Sequence, residues 1–234
     1  MTADPSHVLA AEVATACRIL EANGHEHSFL GHVSARQSDD TLLAKPSGLG
    51  LAEISPEDII ALDLDGHQLA GERKPHAEMP IHTRIYRRRD DVGAVVHTHP
   101  LQVAGLVASS AEFLMVNQDS VQFADGVGFY PSAMLIVTSE RGDEVAEALG
   151  RKRAVLLRNH GLVTAGATVA EAVFLAVSLV NSLRVQEIAG RFGEISPIAG
   201  EEVALMAQEF APSYEHRVDS TWDYLCRALE TGRR

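Results

Sequence analysis

Cysteine is nearly absent from the 234-residue chain: Cys17 and Cys226 stand near opposite ends and in no CxxC pair. Two isolated thiols build neither a disulfide framework nor a zinc knuckle, and they read as reduced thiols of a cytoplasmic protein. Aromatic residues are scarce at 5%, and Lys plus Arg number only 20 against 32 Asp plus Glu, a formal charge of -12. Such a surface repels a phosphate backbone, so nucleic acid is not an expected partner. The start, MTADPSHVLA, has no basic region ahead of an apolar stretch. No segment is expected to reach the roughly 20 apolar residues that span a bilayer, so no membrane partner is expected. Repeats, low-complexity tracts and linker-like stretches are also lacking, and a single domain over residues 1–234 is expected.

With 46% hydrophobic and 22% charged residues the chain has enough apolar material for a compact core. Val8, Leu9, Val13, Ile19 and Leu20 recur at helical spacing from His7 to Ala22, and Asn23-Gly24 supplies a stop. GHVSARQSDDTLLAKPSG reads as a hairpin around Asp-Asp, and Asp65-Gly66 marks a second one. Ser55-Pro56-Glu57-Asp58 resembles a helix start. Ala77 to Arg89 is helical in pattern, with Pro80 tolerable in its first turn, and GAVVHTH is a buried strand ended by Pro100. Beyond a helix-like stretch over 101–110, strands are expected around FLMV and MLIV. A helix over Asp143 to Leu149, the strand AVLLRNHG and a long helix opened by the Thr168/Glu171 capping box follow. Strands and helices therefore interleave.

Histidine is the residue in excess, eleven against one tryptophan, and it is the commonest transition-metal ligand. Residues two apart on a strand share a face, so His97 and His99 present two imidazoles side by side. Alone, such a pair arises easily by chance. His160, in RNHG at the end of another apolar strand, changes the odds, because three neutral imidazoles make a site that leaves coordination positions free for substrate. Glu78 opens the helix ahead of the HTH strand. A carboxylate there acts as general base or fills a metal position, or else merely satisfies the helix dipole. His82, one turn further on, is either a partner of Glu78 or, more in keeping with its place, a supporting or packing residue.

The order Gly31-His32-Val33-Ser34-Ala35-Arg36, Pro46-Ser47-Gly48, Glu78, His97-Thr98-His99 and Asn159-His160-Gly161 resembles the class II aldolase/adducin family. The resemblance covers about residues 8 to 190. It implies a three-layer α/β/α sandwich on a mostly antiparallel central sheet and a homotetramer with active sites at subunit interfaces. By the same resemblance His97, His99 and His160 are ligands of a divalent metal, and Glu78 is the catalytic carboxylate. Family members that act on sugar phosphates resemble one another in a phosphate cradle of small donors. Here its Asn position is His32 and its Ser-Ser pair is His76-Ala77, while Ser47 and Gly48 remain. His32, Ser47, Gly48 and His76 are thus the expected substrate contacts, and two imidazoles suit carboxylates on a planar ring rather than a phosphate.

These departures point to the decarboxylase branch of the family and to a small anionic aromatic substrate. A hydroxylated aromatic or pyridine dicarboxylate is expected, with 3-hydroxy-2-methylpyridine-4,5-dicarboxylate of vitamin B6 breakdown first and dihydroxyphthalates next. Mn2+ is the favoured metal and Zn2+ the alternative. The alternative activity is that of an aldolase or epimerase, and an adducin-like scaffold without catalysis is disfavoured by the intact histidines and Glu78. Asp119, Tyr130, Tyr214 and Tyr224 are candidates for a residue lent across a subunit interface, each more readily structural. Lys45, Lys74 and Arg158 read as solvated surface charge, with steering of an anionic substrate as the alternative.

Overall fold

The computed structural model of the protein describes residues 4–25 and 27–232, so the first three residues of the opening segment lie outside it. Among the described residues eight strands form one sheet in the order β4-β3-β2-β1-β5-β8-β7-β6. They are β1 (His32–Arg36), β2 (Thr41–Ala44), β3 (Ile60–Asp63), β4 (Gln68–Ala70), β5 (Ala94–Thr98), β6 (Gly128–Tyr130), β7 (Ala154–Leu157) and β8 (Leu162–Gly166). Only the β6/β7 pairing is parallel. The helices are α1 (Pro5–Leu20), α2 (Met79–Arg88), α3 (Leu101–Val107), α4 (Ser139–Leu149), α5 (Val169–Phe192), α6 (Gly200–Phe210) and α7 (Tyr214–Thr231).

The period-two alternation of the strands sorts side chains into two cores and gives the three layers expected. Val33, Ala35, Ala94 and Val96 pack with α1, α3, α5 and α7 on one face. Val95, Val163 and Ala165 pack with α2 and α4 on the other. The helices α2 and α4 are drawn together at Gly142, where a Cβ would lie 2.5 Å from the Pro80 carbonyl oxygen. Arg84 then clasps Asp143 through two bonds of 2.7 Å. Both hairpins, the α1 stop at left-handed Gly24 and the Thr168 cap of α5 are as the sequence implies.

Several expectations need correction. FLMV has no regular structure and joins no strand, because its backbone is satisfied elsewhere: the Leu114 amide donates to Gln186 on α5, and the Met115 carbonyl accepts the Ile198 amide. MLIV is likewise no strand, and the place beside β7 is taken by the short β6. Ser55-Pro56-Glu57-Asp58 makes a single 3-10 turn over Pro56–Asp58, since both the amide and hydroxyl of Ser55 close on the Asp58 carboxylate and the chain then enters β3. The helix placed at Asp143 begins at Ser139, capped by Thr138. By length and composition α5 does reach the size of a membrane span, contrary to expectation, but 67% of its most apolar window is buried within the fold. A helix apolar all round is a core helix when other elements surround it. The closing helices α6 and α7 were not foreseen.

Candidate active site

β1 and β5 lie side by side with His32 directly opposite His97. His97 is the next-to-last residue of the wholly buried β5, on the face shared with α2, and His99, also buried, sits one residue past the strand's last position, Thr98. His160 occupies the turn between β7 and β8, a hairpin rather than the strand end expected. There Asn159 takes the left-handed conformation (φ 52°), while Gly161 serves close approach, since a Cβ on it would lie 2.4 Å from the Thr98 carbonyl oxygen and 2.8 Å from the His99 ring. Gly161→Ala should therefore push the His160 turn off β5, costing about 1–3 kcal/mol. Urea unfolding measures the loss, and unchanged stability would contradict this packing.

Glu78 stands immediately before α2 but does not cap it. Its Oε1 accepts the Ile136 amide at 2.9 Å from the extended segment that follows β6, and its Oε2 lies 3.8 Å from His97 Nε2 and 3.5 Å from His160 Nε2. One ligand-type atom from each of Glu78, His97, His99 and His160 falls within 4.8 Å of the others. The His99 and His160 rings stack at 5.0 Å, and His97 meets both edge-on.

Burial and mutual repulsion keep His97 and His99 neutral. Burial, with repulsion from His99 and His160, drives His97 well below its ordinary value. Burial, with repulsion from His160, takes His99 down to about 4. Burial alone would push the Glu78 carboxyl up, but the hydrogen bonds from His160 and the Ile136 amide outweigh it and hold it low. His97 Nδ1 donates to the Leu162 carbonyl at 2.9 Å, which leaves the Nε2 lone pair free, and that atom is buried without a partner, as are His99 Nδ1 and His160 Nδ1. Two buried neutral imidazoles, His97 and His99, with His160 beside them, an orphaned nitrogen on each of the three rings and a carboxylate held low fit a divalent cation.

A second group adjoins the first. His76 lies just ahead of Glu78, and its ring is 4.2 Å from that of His32. The two substitutions in the expected cradle thus meet at one place. Ser47, half-buried, donates its amide to the Lys74 carbonyl and holds the 46–48 loop beside this segment, and exposed Gly48 turns it with φ 87°. Burial, with repulsion from Lys45, holds His76 low, and His32 is lowered further by burial and three neighbouring histidines. Neutral rings can still donate an N–H to a carboxylate.

Lys45 is fully buried and its ammonium donates to the Phe29 and Pro46 carbonyls, so it braces the loop and is not a surface charge. Lys74 and Arg158 are exposed. Tyr130 and Tyr214 are engaged by Glu144 and Glu171, Asp119 lies in a 3-10 turn, and Tyr224 is exposed. Sequence reasoning missed Ile136, whose contribution is a backbone amide. His82, expected as a supporting residue, reaches His32 with one ring nitrogen and Ser34 with the other, each at 2.6 Å, and the identity of what it supports was missed. The signal was present in the G-x-V-S motif, whose His32 and Ser34 share a face of β1.

Residues 11–186 match the family described as Class II Aldolase and Adducin N-terminal domain. The chain belongs to that family and falls with its decarboxylase branch. It is 36% identical over 183 residues to a 3,4-dihydroxyphthalate decarboxylase of Arthrobacter keyseri, covering 71% of this chain and 73% of that one. It is 32% identical over 220 residues to a protein of the same name from Terrabacter sp. (strain DBF63), covering 88% and 91%. Among solved structures, L-fuculose 1-phosphate aldolase from Glaciozyma antarctica PI12 superposes with a TM-score of 0.85 at 25% identity, over 96% of this chain and 89% of that one.

Proposed function

We propose that the protein is a divalent-metal-dependent decarboxylase of a hydroxylated aromatic dicarboxylate, with 3,4-dihydroxyphthalate ahead of 3-hydroxy-2-methylpyridine-4,5-dicarboxylate. The observation that carries the reading is the pair of buried neutral imidazoles, His32 and His76, set beside the Glu78/His97/His99/His160 cluster. The named activity of the relatives at 36% and 32% identity supports it and orders the two substrates. His97, His99 and His160 hold the metal, Mn2+ in preference to Zn2+. A bound divalent cation supplies an electron sink for the carbanion left when CO2 departs.

The remaining chemistry belongs to the chain. His32 and His76 donate to a substrate carboxylate and set the ring's orientation, with Ser47 and Gly48 bounding the same side. Glu78, ionised and anchored by the Ile136 amide, takes the proton of the ring hydroxyl. The bond from ring carbon to carboxylate breaks, CO2 leaves, and Glu78 returns the proton to that carbon. The phenolate product carries the charge the carboxylate brought.

The protein works as a cytoplasmic homotetramer in this reading. Exposed Leu101, Phe129, Met134 and Leu135 supply apolar surface of the kind subunit contacts cover. The second reading, an aldolase or epimerase on a sugar or other small hydroxy-carbonyl substrate, is favoured by the likeness to the fuculose phosphate aldolase and by the same cluster. A panel of both dicarboxylates and L-fuculose 1-phosphate separates them. The aromatic acids should be preferred in kcat/KM by at least about a hundredfold. Cleavage of the sugar phosphate alone would contradict the proposal.

A further inference from the structure

Behind the site lies a chain of buried polar groups that none of the foregoing chemistry uses. His32 Nδ1 is 2.6 Å from His82 Nε2, His82 Nδ1 is 2.6 Å from Ser34 Oγ, and Ser34 Oγ is 2.8 Å from the Tyr86 hydroxyl. All four residues are essentially inaccessible to solvent. Burial keeps both histidines neutral, His82 down at about 3, and pushes the Tyr86 hydroxyl up, so each member carries one mobile proton.

Four protons and three hydrogen bonds leave one proton over, and its place depends on which way the chain runs. If His32 donates from Nδ1, each bond points towards Tyr86 and the tyrosine is left holding a proton with nowhere to put it. Among the described residues Ser34 Oγ is the acceptor within reach of the Tyr86 hydroxyl, while the Val95 amide that also bears on that oxygen is itself a donor. That sense leaves two buried atoms unpaired, the Tyr86 proton and the His32 Nε2 lone pair, and each is penalised, whereas the opposite sense leaves one. In the opposite sense Tyr86 donates to Ser34, Ser34 to His82 Nδ1 and His82 Nε2 to His32 Nδ1. The spare proton then sits on His32 Nε2, an atom buried without a partner next to His76 and His97.

We infer that Tyr86, Ser34 and His82 act as positioning residues that fix His32 as an Nε2–H donor, which makes its corner of the site a receptor for a substrate carboxylate. The point matters because His32, His76 and Glu78 also bring ligand-type atoms within 4.8 Å of one another and, taken alone, could hold a second cation. A protonated nitrogen has no lone pair to offer a metal. The arrangement is directional but does not deliver protons, because donating the His32 proton outright would end in a buried tyrosinate. For what the donor grips, the inference rests on the decarboxylase reading; the tautomer itself does not.

The test uses the full-length protein with 15N-labelled histidine, reading ring protonation from long-range 1H–15N correlations, with His32 assigned by the signal missing in His32→Gln. Nε2–H at His32 is expected in the wild type, and a substantial Nδ1–H population in Tyr86→Phe, which keeps the ring and loses the leading donor. Nδ1–H in the wild type, or an unchanged tautomer in Tyr86→Phe, would overturn the inference. Mn2+ titration should saturate at one ion per chain, and a second ion competing for His32 would overturn it too. On an active substrate Tyr86→Phe should raise KM by about tenfold, the loss of one hydrogen bond to a charged group, with a smaller change in kcat. A fall in kcat with KM unchanged would contradict a carboxylate receptor. Should no dicarboxylate react, the function would fall while the tautomer measurement still decided the relay.

Discussion

His97→Ala should yield a folded protein that retains less than about a tenth of the wild-type metal and no turnover above background. The side chain is completely buried, and its Nδ1 bond to Leu162 aims the free nitrogen into the cluster. Removing it leaves two imidazoles, and loss even of a group that merely orients a ligand costs 10–100-fold in affinity. The variant also leaves a cavity where His97 met His32, His99 and His160, so a stability loss of about 2 kcal/mol should accompany the effect. Metal analysis after gel filtration and a urea titration separate the two. Full activity in a metal-free variant would refute the assignment of His97 as a ligand.

Glu78→Gln should retain metal and lose turnover by roughly 10²–10⁴-fold, the range for a positioned acid or base. The amide oxygen of Gln can still accept the Ile136 amide, so the segment after β6 stays docked and the three histidines keep their places. What the substitution removes is the ability to take a proton and return it. Metal content, KM and kcat measured together test this. Unchanged kcat would reduce Glu78 to a structural anchor for Ile136.

The HTH alternation was legible because it follows from local geometry, period two on a strand, whereas the early end of β7 at Leu157 and the close approach at Gly161 depend on packing against the end of β5. Capping at Thr168 and the two hairpins were legible for the same reason. MLIV misled because an apolar run is consistent with a strand until something else claims its backbone; here Glu78, 58 positions away, takes the Ile136 amide. Lys45 misled because a lysine reads as surface, whereas two carbonyls compensate its burial. The relay behind His32 spans β1 and α2 across 48 to 52 positions and emerges only once the sheet has aligned them. His32 and His76 were recognisable as a pair through the family's cradle, though their neutrality comes from a burial that composition does not reveal.

The measurement closest to the central claim is release of labelled CO2 from carboxyl-13C 3,4-dihydroxyphthalate by protein stripped of metal and then reloaded with Mn2+. The expected result is no release from the stripped protein, release after reloading, at most about a hundredth of that rate from reloaded Glu78→Gln, and none from reloaded His97→Ala. Release that survives chelation, or reloaded wild-type protein that leaves every hydroxylated dicarboxylate intact while cleaving an aldol, would contradict it.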